Sequence, residues 1–291
     1  MAFSVNTNAG AMAALQSLNA TNKSMNTVQS RINTGFNVAS TKDDSAKYTV
    51  AQTLRGDLGK LSAVTTSLNN AKSVTDVAVA GAEQISDLVN EMKSKTLETS
   101  DAGLDAESRK AIAKDLVALK KQINTIVDGS DFNGTNLLKG AAAATDGKVS
   151  ALQSISGTET LTVDNQGFTT KVTTALGAAG TDTDIDAISG AADGDAAKTA
   201  ADAFTAKLDT FFGEVKTSLS ELGAASRQID GQLSFNSKLT DVVTSGVGNL
   251  VDADLAKESA KLQALQVQQQ LGTQALSIAN QAPQTILSLF R

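Results

Sequence analysis

The residues of this chain that could carry out chemistry are carboxylates and lysines, because the sequence contains no histidine and no cysteine. Imidazole and thiolate are the usual ligands of zinc, copper, haem and iron–sulfur centres, and they also form the common nucleophile–base pairs. The remaining carboxylates and lysines form no convergent cleft motif. The residue types alone disfavour an enzyme without excluding one. Because no such motif is present, the sequence predicts no catalytic residue, no metal, no cofactor and no enzymatic activity.

One acidic run, Asp182-Thr183-Asp184-Ile185-Asp186, has the carboxylate density of a calcium-binding loop. Such a loop also needs a bidentate glutamate at its final position, and this run has none at the required spacing. We therefore interpret the run as a solvated acidic loop.

Charge is distributed unevenly along the 291 residues. All 31 acidic residues and 20 of the 25 basic residues lie between Asp43 and Glu258, so the two ends carry only a few positive charges. An acidic middle with a single tyrosine argues against nucleic acid as a partner. No run approaches the roughly 18 apolar residues of a membrane span, and the N-terminus lacks the basic start of a cleavable signal. Membrane insertion is not predicted.

Helical periodicity dominates the sequence. Apolar positions alternate in steps of 3 and 4 over 61–92, which predicts a long coiled-coil helix. A shorter seam over 112–126 follows a turn at 100–103, so an antiparallel helix pair is expected. A further seam runs over 204–222. The predicted fold class is mainly α, with long coiled-coil helices from both chain ends and a helical bundle layer capped by a small β-hairpin region.

The segments between these seams differ in composition. Residues 131–136 contain an Asn-Gly pair, which predicts a turn. Residues 158–174 alternate like a hairpin, with Leu161 and Val163 before the turn and Phe168 and Val172 after it. Residues 141–147 and 177–200 are rich in Ala, Gly, Asp and Thr, and we expect them to be surface loops.

Both chain ends carry a helical seam but almost no charge. Their outer faces consist of Asn, Gln, Ser, Thr and Ala, which can lose water against neighbouring helices if the amides find partners. The ends are therefore expected to be largely disordered alone and to fold on assembly. The alternative is an ordinary helix pair within one chain. The predicted assembly core is Met12, Leu15, Leu18, Met25, Val28, Ile32, Leu255, Leu262, Leu265, Gln269, Gly272, Leu276, Ala279, Ile286 and Phe290.

Several motifs at the two ends resemble those of bacterial flagellins, and their order along the chain is the same. At the N-terminal end they are Ser4-Val5-Asn6-Thr7-Asn8 and the run from Asn33 through Asp44. At the C-terminal end they are the run from Leu250 through Ser259, Gln269-Gln270-Leu271-Gly272-Thr273, Ala279-Asn280-Gln281-Ala282-Pro283-Gln284 and the final Leu287-Ser288-Leu289-Phe290-Arg291. Phe132-Asn133-Gly134 also fits. The short middle is similar to that of alphaproteobacterial flagellins.

The resemblance implies three layers. Residues 1–42 and 249–291 would form an inner coiled-coil core domain. Residues 43–140 and 198–248 would form a helical second-layer domain, and residues 141–197 a β-hairpin and loop cap with little or no separate outer domain. A smooth filament is expected, with the acidic middle on its exposed flank.

Lys42, Asp43 and Asp44 resemble the family's junction between the inner core and the second layer. A simpler interpretation is helix capping by Thr41 or Asp43. The small and amide residues of the C-terminal seam, including Gln269 and Gly272, could let packed helices slide between near-equivalent arrangements. Both ideas remain open at the level of sequence.

The function implied by the resemblance is self-assembly into an extracellular flagellar filament for motility. The implied partners are other copies of the chain, the type III flagellar export apparatus, the filament cap and the hook-associated proteins. A flagellin-like hook–filament junction protein would share the terminal helices. A secreted coiled-coil adhesin is a further alternative, although a middle of about 57 residues leaves little room for a receptor-binding domain.

Overall fold

A computed structural model describes residues 7–140 and 147–289, with side chains as far as residue 281. The chain is mainly α-helical, with one small antiparallel sheet, and it divides into two compact units, Met1–Leu58 with Asp241–Arg291 and Gly59–Thr240. The elements in chain order are α1 (Ala9–Thr34), α2 (Ser45–Thr99), α3 (Ala106–Gly129), β1 (Val149–Leu152), β2 (Thr160–Val163), α4 (Phe168–Leu176), α5 (Thr183–Ser189), α6 (Gly194–Val251) and α7 (Leu255–Leu289).

The core of the 59–240 unit follows the predicted α2 seam. Every position of that seam is buried, including Thr75, whose hydroxyl donates to the carbonyl of Ala71 at 2.8 Å and so leaves no unpaired group. Helix α3 packs antiparallel to α2, as predicted. Lys95 near the end of α2 pairs with Asp115 in the first half of α3 at 2.8 Å. Gly81, which comes earlier on α2, lies against Ser130, which comes just after α3 ends, so the two helices run in opposite directions.

Helix α6 also runs antiparallel to α2 within this unit. Lys93 pairs with Asp209 at 2.5 Å, and Lys72 pairs with Asp230, so residue numbers fall on one helix as they rise on the other. The buried positions of the predicted 204–222 seam complete this core, because α6 contributes Phe204, Leu208, Phe211, Val215 and Leu222.

The predicted hairpin is present, but its second strand was assigned wrongly. Strand β2 pairs with the preceding β1, Leu161 opposite Ala151, and not with residues 168–174. Those residues form α4. Phe168 and Val172 are both buried and lie four residues apart, which is the spacing of one face of a helix. The threonines between and after them give the segment the alternating pattern of a strand.

The prediction of a surface loop over residues 177–200 is wrong, because this range contains α5 and the start of α6. Ile185 and Ile188 are buried on α5, and the start of α6 buries Ala197. Alanine favours helices and allows close packing, so an Ala-rich composition indicated a loop incorrectly here. The acidic run is also not simply solvated. Asp182 pairs with the buried Lys120 at 2.8 Å.

The Asn-Gly turn is confirmed. The amide of Phe132 donates to the carbonyl of Thr135, and the amide of Thr135 donates back, both at 3.0 Å. Asn133 and Gly134 both have positive φ, 52° and 78°, the backbone conformation that Asn and Gly adopt most easily.

Candidate assembly surface

Helices α1 and α7 pair antiparallel within one chain. At one end of the pair, the side-chain amide of Asn8 donates to the carbonyl of Ala279 at 2.7 Å. At the other end, Arg31 forms an ion pair with Glu258 at 3.3 Å. An intramolecular pair is what the alternative interpretation of the two chain ends predicts, so α1 and α7 each have one face covered before any second copy arrives.

The middle of the pair contains two contacts that fix how the helices align. The side-chain amide of Gln269 donates to the side-chain oxygen of Asn22 at 2.7 Å. A Cβ atom on Gly272 would lie 3.3 Å from the Cδ1 atom of Leu18, so the glycine leaves the space that the leucine fills. A directional polar contact inside a helix seam specifies one register. Gln269 and Gly272 therefore have defined partners within the chain.

Most of the predicted core residues lie on this inner seam. On α7 the seam alternates in steps of 3 and 4, with Leu265 buried and its neighbours partly covered by α1. Ile286 and Phe290 lie outside the residues whose side chains are described. The partly or fully buried seam members are Leu18, Met25, Val28 and Ile32 on α1 and Leu262, Leu265, Gln269, Gly272, Leu276 and Ala279 on α7.

Three predicted residues lie outside the seam. Met12 is 65% exposed and Leu15 48% exposed, because their neighbours Ala11 and Ala14 take the inward positions. Leu255, at the first position of α7, is 49% exposed. These apolar side chains are largely uncovered within a single chain.

Helix α7 carries a second apolar stripe, which the sequence interpretation missed. Val267, Leu271 and Ile278 are 56%, 59% and 69% exposed. Each lies two positions after a seam residue, about 200° around the helix, so the stripe is on the side opposite α1. We call these three residues the outer stripe. The spacing of 4 and 7 residues was the available signal, but it was hidden beside a stronger seam.

Charged residues are sparse on the α1–α7 pair. Arg31 and Glu258 form the one ion pair between the two helices among the described residues. The Nε atom of Arg31 and the Oε2 atom of Glu258 are buried without a hydrogen-bond partner in that part of the chain. Around the outer stripe the exposed neighbours are amides, including Gln266, Gln268 and Gln270. An uncharged surface of this kind loses water at less cost than an ionised one.

Backbone hydrogen bonds tie together the segments that lead out of α1 and into α7. The amide of Asn37 donates to the carbonyl of Val251 at 2.7 Å, and the amide of Ala253 donates to the carbonyl of Gly35 at 2.9 Å. Gly35 has φ 74°, which ends α1 with a left-handed residue. Val38 packs into a small core with Ala51, Val247 and Val251.

Of the three predicted junction residues, Asp43 and Asp44 accept hydrogen bonds through their carboxylates, whereas Lys42 donates its backbone amide to the Ser40 hydroxyl at 3.3 Å. The Oδ2 atom of Asp43 accepts from the hydroxyl of Ser40 at 3.1 Å, from its amide at 3.0 Å and from the amide of Ala39 at 3.2 Å. Asp44 accepts from the amide of Lys47 at 3.1 Å in the first turn of α2. Neither Thr41 nor Asp43 caps α2, which corrects the simpler interpretation, and Lys42 is exposed.

These bonds give Asp43 a pH signature. The Ser40 hydroxyl and amide hold the pKa of the Asp43 carboxyl below its ordinary value of 3.8. Because the folded-state pKa is depressed, the stabilisation of the 39–43 turn is fully present above pH 3.8 and is lost as the pH falls through the lower value. An NMR titration of the carboxyl carbon should show this depressed midpoint. Ser40→Ala should move it back toward the ordinary value, and an unchanged midpoint in that variant would contradict the assignment.

Neither a metal cluster nor a membrane-crossing helix is found in the described ranges. No group of three carboxylates comes together there as a cation site. No helix in residues 7–140 or 147–289 combines the length and apolarity that a bilayer span requires. The exposed face of α1 and α7 carries few charged side chains, Lys23, Lys257 and Lys261 among them.

The sequence of the chain is similar to those of known proteins over almost its whole length. The sequence matches the bacterial flagellin N-terminal helical region over residues 5–143 and the C-terminal helical region over residues 205–290. It is 43% identical to flagellin FljK of Caulobacter vibrioides, over 99% of this chain and 98% of that protein. It is 38% identical to a flagellin of Brucella melitensis and 34% identical to flagellin C of Rhizobium meliloti, in each case over 99% of both chains.

Proposed function

We propose that this chain, which belongs to the bacterial flagellin family and is a structural, non-enzymatic subunit of the extracellular flagellar filament, polymerises through α1 and α7. The observation that carries the proposal is the outer stripe of α7. It places Val267, Leu271 and Ile278 in water on a helix whose opposite face is already covered by α1. A helix with two apolar faces needs two neighbours, and among the residues that the structure describes only α1 covers one of these faces.

The second neighbour is another copy of the chain. Full burial of one large aliphatic side chain contributes about 1.5–3 kcal/mol of free energy. Burial of the exposed parts of the three side chains of the outer stripe would therefore favour association. Met12, Leu15 and Leu255 add further uncovered apolar area on the same helix pair. The surrounding glutamines can exchange water for amide partners on a neighbouring copy without burying a charge.

The layer assignment follows from this proposal. Residues 1–42 and 249–291 form the inner core of the filament, residues 43–140 and 198–248 the second layer, and residues 141–197 a cap. The acidic middle of the chain remains at the surface of the filament because like charges oppose dense packing.

The other proposed partners act in the export of the subunit and in its addition to the filament. The flagellar export apparatus, the filament cap and the hook-associated proteins would handle the chain before and during assembly. The absence of cysteine supports export in an unfolded state, since no disulfide opposes threading of the chain.

Electron microscopy of the purified chain, with and without filament seeds, tests the proposal. Addition of a precipitating salt or of seeds should give long, uniform fibres in the absence of any second protein. A hook–filament junction protein, the alternative function, would not extend the seeds by itself. Failure to extend under conditions in which a related flagellin extends would overturn the proposal.

Gly272 offers a sharper test of the α1–α7 register. In Gly272→Leu the new side chain must displace Leu18, at a cost of roughly 1–3 kcal/mol for an overfilled contact. We expect filaments of altered waveform or no growth. Gly246→Leu is the matched control, because a Cβ at that helical position meets no atom within 4 Å. A normal waveform in Gly272→Leu would mean that this contact does not set filament geometry.

A further inference from the structure

The turn after α3 contains a chemically reactive pair, Asn133-Gly134. It is the one Asn-Gly sequence in the 291 residues. Both residues are exposed, and a Cβ placed on Gly134 would meet no atom within 4 Å, so water and base have free access. Exposed turn tips are also where local opening of the backbone is easiest.

An asparagine followed by glycine can react with its own backbone. The amide nitrogen of Gly134, after losing its proton to base, attacks the Cγ atom of Asn133, and the side-chain nitrogen leaves as ammonia. Water then opens the resulting five-membered succinimide at either carbonyl, which gives aspartate or isoaspartate. Glycine permits the attack because it has no side chain to obstruct the approach of its nitrogen.

The folded turn holds this nitrogen away from the reaction. The amide of Gly134 donates to the Oδ1 atom of Asp131 at 3.2 Å, and the two bonds between Phe132 and Thr135 close the turn around it. Ring closure requires Gly134 to leave Asp131 and rotate toward the Asn133 side chain. The carboxylate of Asp131 also opposes the negative charge that develops on the attacking nitrogen.

We propose that Asn133 is a site of spontaneous deamidation in this protein and that Asp131 is the residue that restrains it. The only co-reactants are base and water. The product places a second carboxylate beside Asp131, and isoaspartate also lengthens the backbone by one methylene group within a turn that is held at positive φ. Both changes disfavour the closed turn, so a modified copy does not return to the original geometry.

The position of the turn gives the modification a structural consequence. Asn136, just after the turn, donates its side-chain amide to the carbonyl of Val127 at 2.7 Å near the end of α3. The same residue accepts from the amide of Leu138 at 2.8 Å, and Leu138 is fully buried. Opening of the turn therefore reaches the segment that anchors the end of α3 to the core.

The test compares isoaspartate formation in the wild-type chain, Asp131→Ala and Asp131→Asn. Each purified full-length protein is incubated at mildly alkaline pH, and isoaspartate is quantified by enzymatic methylation and located by peptide mass spectrometry. Asp131→Ala should accumulate isoaspartate several-fold faster than wild type, all of the increase at Asn133. Asp131→Asn keeps the acceptor oxygen, so it should react more slowly than Asp131→Ala.

The controls separate chemistry from unfolding. Circular dichroism must show equal helix content in the three proteins, and Asn133→Gln should abolish the signal in the Asp131→Ala background. Equal rates in wild type and Asp131→Ala would overturn the restraint, and isoaspartate appearing at other asparagines would overturn the site. Neither outcome depends on whether the chain polymerises.

Discussion

A chain lacking residues 1–40 is expected to remain soluble and helical but to lose polymerisation completely. The deletion removes α1, so the inner seam of α7, including the buried Leu265, loses its cover. It also removes Gly35 and Asn37, whose backbone hydrogen bonds join the entry to α7. α7 alone is then a long helix without a packed face, and such helices are marginal in water.

The 59–240 unit should survive the same deletion. Its core is built from α2 to α6, and none of the residues in that hydrophobic cluster comes from positions 1–40. Sedimentation and electron microscopy measure polymerisation, while circular dichroism and thermal unfolding report on the remaining fold. Loss of the cooperative unfolding transition in the truncated chain would mean that the N-terminal segment belongs to the core of the subunit itself.

The long helices could be predicted from sequence because a buried face repeats over many turns. In α2, ten seam positions from Leu61 to Met92 keep the alternation of 3 and 4, and every one of them is buried. A pattern of that length fixes both the type of element and its buried face. Short elements lack this redundancy, so the alternation around Phe168 and Val172 predicts a strand although both residues lie on a helix.

Register on α1 could not be predicted from the same pattern. Met12 and Leu15 are larger apolar residues than Ala11 and Ala14, so a count of hydrophobic side chains favours them as the buried positions. The structure turns the alanines inward instead and leaves them partly covered. Near this end of the pair, a Cβ atom placed on Gly10 would lie 4.0 Å from the Cβ atom of Ala279. Small side chains permit a close approach of two helix backbones. The packing gained by this approach depends on the partner helix, and the apolar pattern of one helix does not specify that partner.

The outer stripe was missed for a related reason. A helix that is read as amphipathic is assigned one apolar face, and Val267, Leu271 and Ile278 then count as scattered surface residues. Only the position of α1 shows that they form a second face. For a subunit of a polymer, residues exposed in a single copy are therefore as informative as its buried core.

The double substitution Leu271→Gln and Ile278→Gln should suppress polymerisation without unfolding the subunit. Both side chains are more than half exposed in the single chain, 59% and 69%, so their replacement removes little intramolecular packing. If a second copy buries them, the loss is about 2–4 kcal/mol per subunit on the aliphatic burial scale, which raises the critical concentration roughly thirtyfold or more. The measurement is the concentration of unpolymerised chain at equilibrium with fibres.

Leu97→Gln is the matched control, because Leu97 is 70% exposed at the end of α2 and lies outside the terminal helix pair. Equal critical concentrations for the double variant and this control would remove the outer stripe from the subunit interface.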